Sequence, residues 1–167
     1  MKISKSHANI GKVGVFVNQP LTEVREIADC CRLDYVQLHG DESPEYCEAV
    51  GVPVIKGFSV SPAFSKAATV PYNVAYFLLD SLVGGQSGGT GISFDWCRSR
   101  DLAGELTKPF LVAGGLTPDN VAEAIRILTP AGVDVSGGVE TGGEKDFEKI
   151  RLFITAARKA KERGSFA

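Results

Sequence analysis

The chain has 167 residues, 44% of them hydrophobic and 23% charged, with a formal net charge of -2. That length gives one domain with a real core, and the composition excludes a disordered tail or a collagen-like chain. With no Lys/Arg block, nucleic acid and anionic membranes are not expected as partners; the longest apolar run, 74–79, is six residues, against the roughly 18 that a membrane span takes.

Met1 to Ser6 carries no apolar signal core, so a cytoplasmic protein is expected. Runs rich in Val, Ile, Phe and Tyr then recur at 13–17, 34–38, 53–56, 74–79, 109–113 and 132–135. Each is continuous rather than alternating, which suits parallel strands covered on both faces. After the first run, Leu21, Val24, Ile27 and Ala28 fall on one side of a helix. Thr117 and Pro118 have the N-cap and N1 chemistry of a second helix, and Val121, Ala124, Ile125 and Leu128 follow at helical spacing. A last helix over 146–163 is predicted to turn Phe147, Ile150, Phe153, Ile154 and Ala157 inward. Its Arg158, Lys159, Lys161 and Arg163 crowd the C-terminal end, where the helix dipole favours cations. The order reads as βα repeated six times.

Cys30, Cys31, Cys47 and Cys97 form no C-x-x-C or Cys/His cluster, so no metal is expected and buried free thiols are the simplest reading. Two α/β architectures fit the element order. Six strands suit a doubly wound open sheet, whereas a (β/α)₈ barrel takes eight. From Val13 onward the six units share roughly 26 residues each, and eight at that pitch would need about 207. The polar residues favour the barrel. Nearly every strand ends in one or a glycine: Asn18, His39-Gly40, Lys56-Gly57, Asp80, Gly114-Gly115 and Ser136-Gly137-Gly138. A barrel gathers its active site from such strand ends, and an open sheet concentrates it at one switch point. No G-x-G-x-x-G follows the first strand.

The glycine turns after the last two strands carry the strongest chemical signal. Gly114-Gly115 and Gly137-Gly138 let backbone N–H groups approach a phosphate without a lysine, although tight βα turns alone also use glycine. Asp80 closes the most apolar strand, where partial desolvation would raise its pKa toward general-acid work; a turn cap is the plainer alternative. The run from Gly84 to Gly91 is either a loop over the site or a flexible connection. His39 suits acid–base work, anion binding or a structural role.

Read in order, Val13-Gly14-Val15-Phe16-Val17-Asn18, Gln37-Leu38-His39-Gly40-Asp41-Glu42, Leu78-Leu79-Asp80, Gly88-Gly89-Thr90-Gly91, Phe94-Asp95-Trp96, Ala113-Gly114-Gly115-Leu116 and Asp134-Val135-Ser136-Gly137-Gly138-Val139-Glu140 resemble the phosphoribosylanthranilate isomerases of tryptophan biosynthesis. The resemblance covers nearly the whole chain. It implies a (β/α)₈ barrel, here with about six βα units, that catalyses an aldose-to-ketose Amadori rearrangement of a small phosphosugar without metal or cofactor. On it, Asp80 matches the general acid that opens the furanose ring. Gly114, Gly115, Ser136, Gly137 and Gly138 fall where the phosphate is held, and Gln37 and His39 line the pocket. Two departures stand out. One serine, Ser136, stands where the family usually has two, and the family's opening K-I-C-G strand, whose cysteine is the general base, has only a faint echo in Lys2-Ile3-Ser4. An incomplete barrel exposes its terminal strand edges, so self-association or a separate N-terminal segment over those edges is expected. A catalytically silent phosphate-binding scaffold is the alternative function. The synthase and epimerase relatives among phosphosugar barrels fit less well, lacking their Lys/Glu and metal-binding His/Asp sets.

Overall fold

The computed structural model describes residues 10–61, 64–81, 100–101 and 103–164. Six parallel strands form one sheet: β1 (Val13–Phe16), β2 (Tyr35–Leu38), β3 (Val54–Val60), β4 (Tyr76–Ser81), β5 (Phe110–Ala113) and β6 (Gly132–Val133). Their spatial order is their chain order, β1-β2-β3-β4-β5-β6. A doubly wound sheet reverses direction at a switch point; this one never does. Right-handed crossovers between neighbouring parallel strands put the described connecting helices on one face and leave the other as the concave face of a curled, barrel-type sheet.

Among the described residues the helices with defined bounds are α1 (Leu21–Cys31), α2 (Pro44–Ala49), α3 (Val121–Leu128) and α4 (Phe147–Gly164); residues 100–101 and 103–104 are also helical. The main core lies between them and the convex face of the sheet, with Val24, Val36, Leu38, Phe77, Val112, Val121 and Ala124 at 0–1% exposure. On the concave face Ile55, Leu78 and Ala113 make a second, smaller cluster, with Tyr35, Tyr76 and Leu111 against it. A short hairpin, β7 (Glu140–Thr141) and β8 (Glu144–Lys145), precedes α4. Its turn, Gly142-Gly143, has φ of 63° and 84°, which glycine adopts without steric cost.

Several boundaries differ from the sequence expectation. β3 runs to Val60, so Lys56 and Gly57 sit within the strand rather than at its end. β4 likewise continues through Asp80 to Ser81. Strands stop where ladder partners stop, and the β3–β4 pairing continues to Val60↔Ser81. α2 was not anticipated, although its signals are local: Ser43 Oγ accepts from Tyr46 N–H, and Pro44 stands at the first helical position. Between β3 and β4 the described residues hold a 3₁₀ turn, Lys66–Ala68, and no α-helix, so the strict βα alternation breaks there. α3 begins at Val121 because Asn120 folds back, accepting from Thr117 N–H and donating to Gly115 O, which holds 117–120 as a turn.

In α4 Phe153 is buried, but Phe147 is 89% and Ile154 45% exposed, against expectation. Among the described residues α4 packs on α3 and the turn at 137–139, so only one side is covered. Ile27 of α1 is also exposed. Of the three described thiols, Cys47 is buried, Cys30 is exposed and Cys31 half-buried. Cys97, the run from Gly84 to Gly91 and Phe94-Asp95-Trp96 lie outside the described residues. None of the described helices is long and apolar enough to cross a membrane.

Candidate active site

The strand register brings the polar candidates onto the concave face. Tyr35 and Gln37 of β2, Ile55 and Gly57 of β3, Tyr76, Leu78 and Asp80 of β4, and Leu111 and Ala113 of β5 alternate onto it with period two. Beyond the apolar layer formed by Ile55, Leu78 and Ala113, the next positions on this face are Gly57 of β3, Asp80 of β4 and Gly115 after β5.

His39 follows β2 directly, its N–H donating to Phe16 O. Its ring lies over Gly57: a Cβ built there would stand 2.9 Å from the imidazole Cγ. With no side chain in the way, His39 Nε2 reaches to 3.3 Å from Asp80 Oδ2. On its other side, Gln37 Nε2 lies 3.2 Å from Nδ1. With the amide nitrogen donating, Nδ1 accepts, and Nε2 carries the proton toward Asp80. The His39 and Asp80 side chains keep 24% and 30% exposure, so both face an open mouth while the layer beneath them is closed.

Asp80 is paired with Ala113, which immediately precedes Gly114-Gly115. Gly114 and Gly115 have φ of 83° and 62°, so the chain reverses there in a conformation that favours glycine. The Ser136-Gly137-Gly138 turn packs against this one. A Cβ on Gly138 would meet Leu116 O at 1.7 Å, an approach that only glycine permits. Ser136 is itself engaged: Lys145 Nζ donates to Ser136 O at 3.0 Å and to Oγ at 3.1 Å, while pairing with Glu140 at 2.6 Å. The sequence reading missed Lys145. Its distance of nine residues from Ser136 in the chain gives no signal until the hairpin folds it back.

The expected residues Gln37, His39, Asp80, Gly114, Gly115, Ser136, Gly137 and Gly138 therefore gather at the C-terminal ends of β2, β4, β5 and β6. Lys56 does not join them. Its side chain passes to the convex face, where it is 2% exposed and pairs with Glu42. Burial pushes the Glu42 carboxyl up, but backbone N–H donors, Asn18 among them, and the Lys56 ammonium outweigh it and hold it below the ordinary range. Asn18 has a left-handed φ of 57° and accepts from Asp41 N–H through Oδ1, tying the loop after β1 to the loop after β2. No described cysteine approaches the concave mouth: Cys30 and Cys31 end α1, and Cys47 lies on α2 with its thiol pushed up to about 11 by burial.

A family model for N-(5'-phosphoribosyl)anthranilate isomerase matches residues 1–156. The N-(5'-phosphoribosyl)anthranilate isomerase of Moorella thermoacetica is 50% identical over 151 residues, covering 90% of this chain and 67% of its own. That of Geobacter metallireducens is 48% identical, covering 87% and 72%. Among solved structures, the isomerase from Thermotoga maritima superposes with a TM-score of 0.76 at 33% identity, over 90% of this chain and 74% of that one. An isomerase in complex with reduced 1-(o-carboxyphenylamino)-1-deoxyribulose 5-phosphate gives 0.73 at 31% identity, over 90% and 72%. Continuous strand order, a polar ring at the strand ends and sequence similarity along almost the whole chain converge: the protein belongs to the N-(5'-phosphoribosyl)anthranilate isomerase family.

Proposed function

We propose that this chain carries the acid half of the family's reaction, the conversion of N-(5'-phosphoribosyl)anthranilate to 1-(o-carboxyphenylamino)-1-deoxyribulose 5-phosphate in tryptophan biosynthesis, with Asp80 as the general acid. The observation that carries this is the placement of Asp80 on the concave face, one strand from Gly114-Gly115 and in contact with His39. A protonated Asp80 gives its proton to the furanose ring oxygen as the C1–O bond breaks, leaving a Schiff base to the anthranilate nitrogen. Loss of the C2 proton gives an enolamine, which tautomerises to the 2-ketone. Gly114, Gly115, Ser136, Gly137 and Gly138 hold the 5'-phosphate through backbone N–H groups, as adjacent barrel loops commonly do. Gln37 and His39 line the wall beside the ring being opened.

The C2 proton needs a base. A second reading, resting on the glycine turns alone, is a phosphate-binding scaffold that does not turn over. The edge of β1 supports the related proposal of a covering partner. Val13 and Val15, on the concave side, are 44% and 61% exposed, where a closed barrel would bury them. A second copy of the chain or a further N-terminal segment satisfies this edge. The charge of the phosphosugar substrate, which does not cross membranes unaided, supports a cytoplasmic setting.

The deciding experiment follows the loss of phosphoribosylanthranilate fluorescence with the purified chain beside Asp80→Asn. Turnover that Asp80→Asn abolishes supports the acid assignment. Equal rates remove it, and phosphate binding without turnover favours the scaffold.

A further inference from the structure

We infer that the buried Lys56–Glu42 pair is a positioning device, which fixes the His39 imidazole over Asp80 by clamping the backbone around His39 from the opposite face of the sheet. The argument starts from where the charges go. Lys56 Nζ donates to Leu38 O at 3.4 Å, to Gly40 O at 2.7 Å and to Gly57 O at 3.0 Å. Glu42 accepts from Gly40 N–H at 2.9 Å through Oε2 and from Asn18 N–H at 2.9 Å through Oε1. The peptide before His39 is thus held by its carbonyl and the peptide after it by its N–H. The same ammonium also holds Gly57, the residue over which the ring lies. Both torsions of His39 are bracketed by these contacts: the Leu38 O contact before it is long, and the charge-assisted bonds to Gly40 after it are short.

The pair is enclosed. Lys56 and Glu42 are 2% and 5% exposed, and Nζ sits 5.4 Å from the Phe58 ring centroid and 5.9 Å from that of Tyr72. Tyr72 in turn donates its hydroxyl to Glu42 O. Apolar side chains of similar volume commonly fill such a space with no loss of stability. What the charges add here is direction: five hydrogen bonds converge on the segment 38–40, on Gly57 and on Asn18, and all of them border the site.

This inference rests on reading His39 and Asp80 as site residues, and its test does not depend on turnover. The chain has two histidines, His7 and His39, so His7→Gln assigns the imidazole ¹⁵N signals. In the unaltered protein at alkaline pH, His39 should show two well-separated nitrogens, a single tautomer with Nε2–H toward Asp80. In Lys56→Met/Glu42→Gln, which removes both charges at nearly constant volume, the separation should shrink by half or more while thermal unfolding stays within a few degrees. A folded double variant that keeps the full separation overturns the inference. A second measurement needs no variant: the Gly40 and Asn18 amides, which Glu42 accepts, although outside the strands, should exchange with deuterium as slowly as those of β2. Exchange at the rate of an open loop overturns it equally. A flat Asp80→Asn result in the fluorescence assay would instead remove the acid assignment and leave both of these readouts standing.

Discussion

His39 Nε2 stands 3.3 Å from Asp80 Oδ2 although the two residues lie on strands that are not neighbours: β3 runs between them, and Gly57 of β3 leaves the gap through which the imidazole passes. The carboxylate therefore meets the Nε2 side of the imidazole, above a concave layer of Ile55, Leu78 and Ala113.

Asp80→Asn keeps the shape of the side chain and removes its exchangeable proton. The rate should fall by about 10²–10⁴, the usual contribution of a positioned acid. Substrate affinity should change little, because the glycine turns proposed to hold the phosphate are untouched. Steady-state fluorescence separates the two; a loss confined to KM would exclude proton transfer by Asp80.

Gly115 and Gly138 test two different reasons for glycine. No atom lies within 4 Å of a Cβ at Gly115, so Gly115→Ala meets only the cost of its φ of 62°, about 1–2 kcal/mol. Gly138→Ala drives a methyl into Leu116 O, a backbone atom that cannot rotate away. It should cost at least the ~1–3 kcal/mol typical of overpacking and weaken binding of inorganic phosphate. Chemical denaturation of the two variants, side by side, should rank Gly138→Ala as the worse.

Glu42 ties stability to acid. Burial raises its carboxyl, but the backbone donors and Lys56 lower it further, so its folded pKa lies below the unfolded one. The stabilisation is therefore complete above the unfolded value of about 4.3 and is lost as pH falls through the folded value. Glu42→Gln should cost about 3–5 kcal/mol near neutral pH, the usual penalty for stranding one buried charge, and should flatten the decline in stability below about pH 4.3. Urea midpoints measured at several pH values check both parts; an unchanged acid slope would assign the decline to other carboxylates.

Val15 reports on the open edge. It lies on the concave side of β1 at 61% exposure, with Val13 beside it on the same face. If copies of the chain cover this edge, Val15→Lys should weaken self-association at least tenfold, through the desolvation of a buried ammonium. Sedimentation velocity across a concentration series reads this directly, and an unchanged association would place the contact elsewhere.

The sequence by itself determined the strands, the glycine turns and the identity of the acid candidate, because these are written in local chemistry: continuous β-branched runs, glycine pairs and one aspartate at the end of the most apolar run. It also carried the family resemblance. Element order alone fits both an open sheet and part of a barrel; the polar strand ends and the family resemblance already pointed to the barrel, and the unbroken spatial order β1 to β6 bears that out. Lys56 illustrates the limit most clearly. A strand-end lysine reads as a site residue until the ladder extends to Val60 and the pleat sends it to the convex face. Phe147 and Ile154 mislead for a related reason: helical spacing marks an apolar face, but burial depends on what packs against it. Lys145 against Ser136, and Lys56 against Glu42, depend on distances across the fold that no spacing in the chain encodes.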